Sequence, residues 1–446
     1  MANILAQLGS FLNGRQASTA TIQTFLVKVL IVGLNLGTGV VTARVLGSEG
    51  RGELAAILLW PQFLAFTLTL GVPQSLIYNL KRYPDPESRD ELYSSALILA
   101  GLAGVVATII GIVFMPMWLS QYSATTIQAA QLFMLLAPFE LIGLVFIAAF
   151  EARNEFTFAN QLRYSLPVAT LLIILVLLGL GSRSPMAFAL AYAVPTIPIN
   201  IWMFVRLCDR YSFRVRNLRL TTQRLFTFGI KAYGVDLLST LSSRIGQALV
   251  VGLLTATSMG LYTVALHISS KLNVFEDAIN TVLLPKAAAR PIPEIVAITG
   301  RAVRASTFLT TLCVIPLMII GPLVITFLYG EEFRGAIPVF RILLIEVLLA
   351  GTTWMLSKAF MAAGRPGTVT LLQAFGLSIT IPLTLWLVPR YGLVGAGLAL
   401  LCSTALRFIF ILVCYPMVLK VKPPSLLLTM ADVRYLKTSL SQRSKG

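Results

Sequence analysis

The chain has 446 residues, 57% of them hydrophobic and only 12% charged, and its 35 Lys and Arg against 18 Asp and Glu leave a net charge of +17 at neutral pH. Soluble domains carry about 25% charged residues, so half that share cannot clothe a hydrated surface, and a mean hydropathy of +0.84 calls for lipid as the solvent. A cytosolic enzyme, a secreted disulfide scaffold and a disordered tail are excluded; the expected class is an all-α polytopic membrane protein.

Residues 1–21 are mostly polar, with Arg15 ahead of the first apolar run, and read as a cytoplasmic segment without a cleavable leader. Runs able to cross about 30 Å of hydrocarbon at about 1.5 Å per residue then fall near 22–46, 54–80, 92–118, 127–150, 162–182 and 185–206, an N-terminal lobe of six spans over 22–206. Residues 207–228 carry Arg210, Arg214, Arg216, Arg219 and Arg224 and read as a basic cytoplasmic connector on the membrane surface. Six more spans near 229–255, 258–285, 302–329, 335–363, 367–388 and 392–419 make a C-terminal lobe over 229–419. The tail, 420–446, is basic again, with Lys420, Lys422, Arg434, Lys437, Arg443 and Lys445. Membrane lipids are expected partners, with anionic headgroups drawn to the connector and tail.

Cations crowd one set of loops, among them Lys81, Arg82, Arg89, Arg153, Arg163, Arg290, Arg301 and Arg365, whereas the other face has Arg44, Arg51, Arg183, Arg334 and Arg390. By the positive-inside rule both termini are cytoplasmic. Twelve spans in two like-oriented sets of six imply a parallel pseudo-twofold repeat with a cavity between the halves. Two echoes support the repeat. The turn Leu46-Gly47-Ser48-Glu49-Gly50-Arg51-Gly52 returns as Leu254-Thr255-Ala256-Thr257-Ser258-Met259-Gly260, and Ala152-Arg153-Asn154 returns as Ala363-Gly364-Arg365.

Within the spans lie Lys28, Lys231, Arg244, Lys271, Arg341, Lys358 and Arg407, and the acids Glu140, Asp236, Glu276, Asp277 and Glu346. A charge facing acyl chains at the bilayer centre costs about 2.5–3.5 kcal/mol on insertion scales, so these groups are expected to line a hydrated cavity or to pair. Thr24, Lys28, Asn35, Thr38 and Thr42 share a stripe of helical period, as do Asp236, Thr240, Ser243, Arg244 and Gln247, while His267, Ser270, Lys271, Asp277, Asn280 and Thr281 share a broad face. Lys28, Asn35, Arg244 and Lys271 are therefore the candidate substrate-binding residues. Asp236, Asp277 and Glu140 are the candidate ion-coupling residues. Opposing readings stand beside these: Lys231, Arg341 and Lys358 lie near span ends and can snorkel, Glu140 and Glu346 can tie helices together, and His267 reads as a packing histidine. A cationic lining rich in hydroxyls and amides suits a phosphate-bearing glycan. Four scattered cysteines and one His form no metal motif, and no catalytic signature occurs, so no enzyme activity, metal, cofactor or nucleic-acid partner is expected.

Several motifs, in order, give the chain a likeness. They are Leu46-Gly47-x-x-Gly50-x-Gly52, a span ending Leu70-Gly71-Val72-Pro73, Leu328-Tyr329-Gly330-Glu331-Glu332-Phe333, Ala363-Gly364-Arg365-Pro366, and Tyr391-Gly392-x-x-Gly395-Ala396-Gly397. From about residue 20 to 420 the sequence resembles the polysaccharide-transport flippases of the multidrug/oligosaccharidyl-lipid/polysaccharide exporter superfamily. The resemblance implies two six-helix lobes that open alternately to either side of the bacterial cytoplasmic membrane. It also implies transport of undecaprenyl-pyrophosphate-linked repeat units, with a polysaccharide polymerase or export machinery as further partners. Basic residues on spans 1 and 8 line the cavity of related flippases, a role Lys28 and Lys271 inherit by position; Arg44 and Arg51 follow at the mouth of span 1.

Rival readings are a cation-coupled drug antiporter, a lipid II flippase of the same superfamily and a membrane glycan polymerase. Drug exporters of the superfamily often place an acid in span 1, where Lys28 stands here. Lipid II flippases typically carry two further C-terminal helices. Polymerases usually need an acidic motif in a large outer loop, and the outer loops here are short.

Overall fold

The computed structural model describes residues 15–83, 85–276, 279, 283, 287 and 290–426, with side chains described for all of these except 15–29, 156–164, 231, 232, 235, 236, 239 and 243. Every regular element among them is helical: α1 (Arg15–Thr67), α2 (Val72–Arg82), α3 (Pro86–Trp118), α4 (Ala124–Phe133), α5 (Ala137–Ala152), α6 (Phe156–Gly179), α7 (Pro185–Ala193), α8 (Thr196–Cys208), α9 (Leu218–Leu253), α10 (Ala256–Ser270), α11 (Ile292–Tyr329), α12 (Ile337–Ala362) and α13 (Pro366–Cys414). Among the described residues, seven helical stretches are long and apolar enough to cross a membrane: Leu30–Thr67, Pro86–Trp118, Ala124–Ala152, Pro185–Cys208, Ile292–Tyr329, Glu331–Ala362 and Pro366–Leu419. The first and last each run through a break at a glycine, Gly47 at φ 69° and Gly392 at φ 53°, where a side chain would be strained. Each of these two therefore reaches into a second predicted crossing. Shorter apolar helices, Ser165–Gly179 and Arg244–Leu253, lie on the crossings expected at 162–182 and 229–255. The crossing expected at 258–285 begins with α10 and continues into residues beyond the described set.

The predicted span at 54–80 is divided by left-handed residues. The run at 54–80 stops at Thr67 and restarts at Val72, with Leu70 at φ 51° and Gly71 at φ 68°. Pro73 lacks an N–H and suits the first turn of a helix, so the chain restarts there instead of running through.

The chain divides into two compact units, Gly33–Val264 with Thr384–Gly395, and Met1–Val32 with Ala265–Leu383 and Ala396–Gly446. In the first, Leu76, Leu80, Leu92, Ala96, Val145, Phe146 and Leu207 belong to a buried cluster from α2, α3, α5 and α8. In the second, Val303, Met355, Leu356, Phe360, Ile411 and Tyr415 do the same for α11, α12 and the end of α13. Residue size is sorted as lipid demands. On α3 the small Ala96, Ala100, Gly104, Ala107 and Gly111 are buried, while Val105, Ile109, Val113 and Met117, four residues apart, are exposed. Lipid tails are as apolar as leucine, so helices associate through close backbone approach at small residues and leave large ones facing outward.

Both sequence echoes have a structural counterpart. A Cβ on Gly52 would overlap the Ala256 carbonyl, and one on Gly260 would overlap the Ser48 carbonyl. The two turns thus cross with reciprocal contacts, 48 on 260 and 256 on 52, as a pseudo-twofold relation requires. At the second echo, α5 and α12 end in the same cap: Asn154 (φ 60°) and Gly364 (φ 70°) are left-handed, Glu155 N–H reaches Phe150 O at 3.0 Å, and Arg365 N–H reaches Phe360 O at 2.8 Å. Asn154 is the equivalent of Gly364, one residue from the pairing read in the sequence.

Candidate functional site

In the unit Gly33–Val264, Asn35 is exposed on α1, whereas Thr38 and Thr42 are buried and donate their hydroxyls to Leu34 O and Thr38 O, both at 2.8 Å. Those two hydroxyls are engaged by their own helix, which leaves Asn35 as the outward polar group among the stripe's described side chains. Arg244, half-buried on α9, holds its guanidinium carbon 4.8 Å from the centre of the Phe66 ring. That is a cation–π contact, and among the described residues no carboxylate pairs with Arg244. Nearby, the Tyr233 hydroxyl donates to Thr67 O, where α1 stops. Glu140 lies in the first turn of α5, half-buried, where the N-terminal end of the helix dipole favours a negative charge. Asp236 belongs to α9, but its side chain lies outside the described set.

In the other unit, Lys271 follows α10 in a turn closed by its N–H to Ile268 O at 3.3 Å, and it is half-buried. No ion pair or side-chain hydrogen bond is recorded for its ammonium among the described residues. Lys28 lies in α1 with its side chain outside the described set, and Asp277 lies outside it altogether. Among the described residues, neither Arg244 nor Lys271 is paired with a carboxylate.

A different fate meets Arg407 and Glu346. Glu346 on α12 is 8% exposed and accepts a hydrogen bond from Thr404 Oγ1 at 2.8 Å, so it ties α12 to the second limb of α13. Arg407 donates Nη2 to Thr380 Oγ1 at 3.1 Å and Ser403 Oγ at 3.2 Å, and those two hydroxyls bond each other at 2.6 Å. A Cβ at position 376 would overlap the guanidinium, so Gly376 is the seat that admits it. Glu346 and Arg407 lie within electrostatic range of each other without direct contact. Gly351 plays the same part for the buried carboxyl of Glu276. The sequence identifies these charges as intramembrane but not as seated. For Arg407 the signal it held was Gly376, a glycine on the other limb of the α13 hairpin.

Residues 19–289 match the model of a family described as polysaccharide biosynthesis protein. A comparison with curated proteins finds no match. Among solved structures the chain is similar to the lipid II flippase MurJ in an inward closed conformation, with a TM-score of 0.75 and 16% identity over 93% of this chain and 89% of that one. It is similar also to an inward-facing MATE multidrug resistance transporter of the MOP superfamily, with a TM-score of 0.69 and 14% identity over 89% and 99% of the two chains. A third is a Pyrococcus furiosus transporter of that superfamily, described by a binding pocket of reverse polarity, with a TM-score of 0.58 and 14% identity over 93% of each chain. At such identities the likeness speaks for the fold, which is that of MOP-superfamily transporters. The family match takes in more than half of the sequence, and with the fold, the apolar spans and the shared turn motifs it makes this chain a member of the polysaccharide biosynthesis protein family.

Proposed function

We propose that this chain is a flippase that moves undecaprenyl-pyrophosphate-linked oligosaccharide repeat units across the bacterial cytoplasmic membrane by alternating access, between an N-terminal lobe over 22–206 and a C-terminal lobe over 229–419, with both termini cytoplasmic. The observation that carries the reading is the presence of two half-buried cations, Arg244 on α9 and Lys271 in the turn after α10, without a carboxylate partner among the described residues. A cation in hydrocarbon is costly, and one that the described residues leave unpaired fits a protein whose ligand brings the anion. Pyrophosphate oxygens accept charge-assisted hydrogen bonds from both residue types. In this reading Lys28, Arg244 and Lys271 hold the pyrophosphate, Asn35 meets the sugar, and the polyprenyl tail stays in lipid. Asp236, Asp277 and Glu140 are the proposed ion-binding groups that give transport its direction. A polymerase or export complex takes the flipped unit.

The test is reconstitution in liposomes with a lipid-linked oligosaccharide, scoring its exposure to an external glycosidase. Lys271→Gln and Arg244→Gln are expected to slow flipping about 10- to 100-fold, the equivalent of losing a charge-assisted hydrogen bond of about 1.5–3 kcal/mol, with folded yield unchanged. Undiminished flipping by both variants overturns the assignment of these residues. The likeness to MurJ makes lipid II the comparison substrate: preferential flipping of lipid II replaces the oligosaccharide reading.

A further inference from the structure

The connector is built more tightly than a basic loop requires. The backbone N–H groups of Ser212 and Arg214 donate to Asp90 Oδ1 at 3.0 Å and Ser94 Oγ at 2.9 Å on α3, and the Arg214 guanidinium lies 3.1 Å from Glu87 Oε1. Just before these ties, Tyr211 is buried against Tyr93 with ring centres 4.7 Å apart. The segment is thereby held to α3 on alternate residues. Phe213 between the ties and Val215 just after them project away, 67% and 46% exposed.

The arginines of this region fall into two groups. Arg214 is held by Glu87, Arg224 lies 4.3 Å from the centre of the Tyr83 ring, and Arg206 lies 5.7 Å from that of Trp202. Arg210, Arg216 and Arg219 are exposed and have no hydrogen bond, ion pair or ring contact among the described residues. Arg216 and Arg219 bracket Leu218, the first residue of α9, and Arg219 forms part of the wall of an open hollow of about 710 Å³ together with Leu218, Thr222, Gln223 and Phe226.

We propose that this surface seats the phosphodiester headgroup of an anionic phospholipid, with Arg216 and Arg219 on the phosphate oxygens, Gln223 on the polar headgroup, and Phe213 and Val215 in the acyl boundary beside it. Two features select a bulk lipid over a soluble anion. Unpartnered cations alternate with exposed apolar side chains, the pattern of an element lying at the level where headgroups meet acyl chains. The helix leading into it, α8, also presents exposed Trp202, Phe204 and Val205, so the seat continues an apolar surface of the kind that faces lipid. The proposal is independent of what the protein transports.

The experiment is native mass spectrometry of the full chain released from micelles doped with phosphatidylglycerol or phosphatidylcholine. The wild-type chain is expected to retain phosphatidylglycerol in preference to phosphatidylcholine. R216Q/R219Q is expected to retain it about 30-fold less, from about 1 kcal/mol per surface cation. F213S/V215S is expected to weaken retention as well, whereas K81Q/R365Q, which removes two exposed cations elsewhere, leaves it unchanged. Unchanged thermal unfolding of R216Q/R219Q shows that the effect is not loss of fold. The proposal fails if R216Q/R219Q retains phosphatidylglycerol like the wild type, or if K81Q/R365Q loses as much. It fails equally if excess inorganic phosphate displaces the lipid, which marks a free-anion site, or if undecaprenyl pyrophosphate displaces it at equal concentration, which assigns the seat to the transported lipid.

Discussion

Arg407 and Lys271 are basic residues of the same compact unit, and the fold treats them in opposite ways. Around Arg407 it supplies a glycine seat at Gly376, two hydroxyl acceptors and a carboxylate in range, itself held by Thr404. Around Lys271 it supplies half-burial and no recorded partner among the described residues. Taking a charge out of water costs several kcal/mol unless hydrogen bonds and counter-charge replace the hydration, so the first arrangement is how a membrane fold makes a cation structural. The second shows no such compensation among the described residues. Partners, more than position in the sequence, separate a cation that holds helices together from one available to bind.

The largest expected effect comes from exchanging each cation for leucine. Arg407→Leu removes the donor held by the Thr380 and Ser403 hydroxyls and the positive charge in range of the buried Glu346 carboxyl, and each lost hydrogen bond to a charged group costs about 1.5–3 kcal/mol. Lys271→Leu removes a charge on which the described contacts do not depend, so its stability stays within about 1 kcal/mol of the wild type. Unfolding of the purified proteins in detergent measures both. Equal losses would erase the distinction. Adding Glu346→Gln to Arg407→Leu should recover part of the loss, because the two sites are coupled.

A smaller effect, with opposite signs at two glycines, sharpens the same point. Gly376→Ala places a methyl where the Arg407 guanidinium lies, and overpacking of this kind costs about 1–3 kcal/mol. Gly33→Ala on α1 meets open space, and relief of helix-interior glycine there is worth about 0.5–1 kcal/mol in the stabilising direction. Matching shifts in the unfolding midpoint would mean that Gly376 is not a seat for the guanidinium.

How far these features were legible follows from the range of the interaction behind each. Crossing a bilayer needs only a sufficient length of apolar chain, a local property, and most of the predicted runs are helical where the sequence placed them. The turns at Gly47 and Gly392 and the caps at Asn154 and Gly364 are also local, requiring a left-handed residue at one position. The break at 68–71 was missed because an apolar run conceals it; Gly71-Val72-Pro73 was the available signal. Tertiary arrangements were harder. Helical period places Thr38 and Thr42 on the polar stripe with Asn35, yet the first two spend their hydroxyls on their own backbone. Period likewise says nothing about whether Arg407 meets Thr380, since that contact depends on how two limbs of α13 fold back on each other. Of the candidate site, Asn35, Arg244, Lys271 and Glu140 have described surroundings, whereas the side chains of Lys28, Asp236 and Asp277 fall outside the described set.

The smallest expected effect concerns a charge that never leaves water. Asp85 begins α3 as its N-cap, accepting the Ser88 N–H on Oδ2 at 2.9 Å. Hydrogen bonding from Ser88 holds its carboxyl below the ordinary carboxylate range, with a smaller contribution from the charge of Arg224. A folded-state pKa lowered in this way gives stabilisation that is complete above the ordinary aspartate value of about 4 and is lost as pH falls through the folded value. At neutral pH, Asp85→Ala should therefore speed amide exchange at the start of α3 while leaving global unfolding unchanged, and Asp85→Asn, still a good cap, should do so less. As the solution is acidified, the wild-type chain should approach the alanine variant in that segment alone. If acidification instead destabilised the whole protein through Asp85, a hydrated surface carboxylate would matter as much as the seated Glu346, and the contrast between structural and solvated charge would no longer hold.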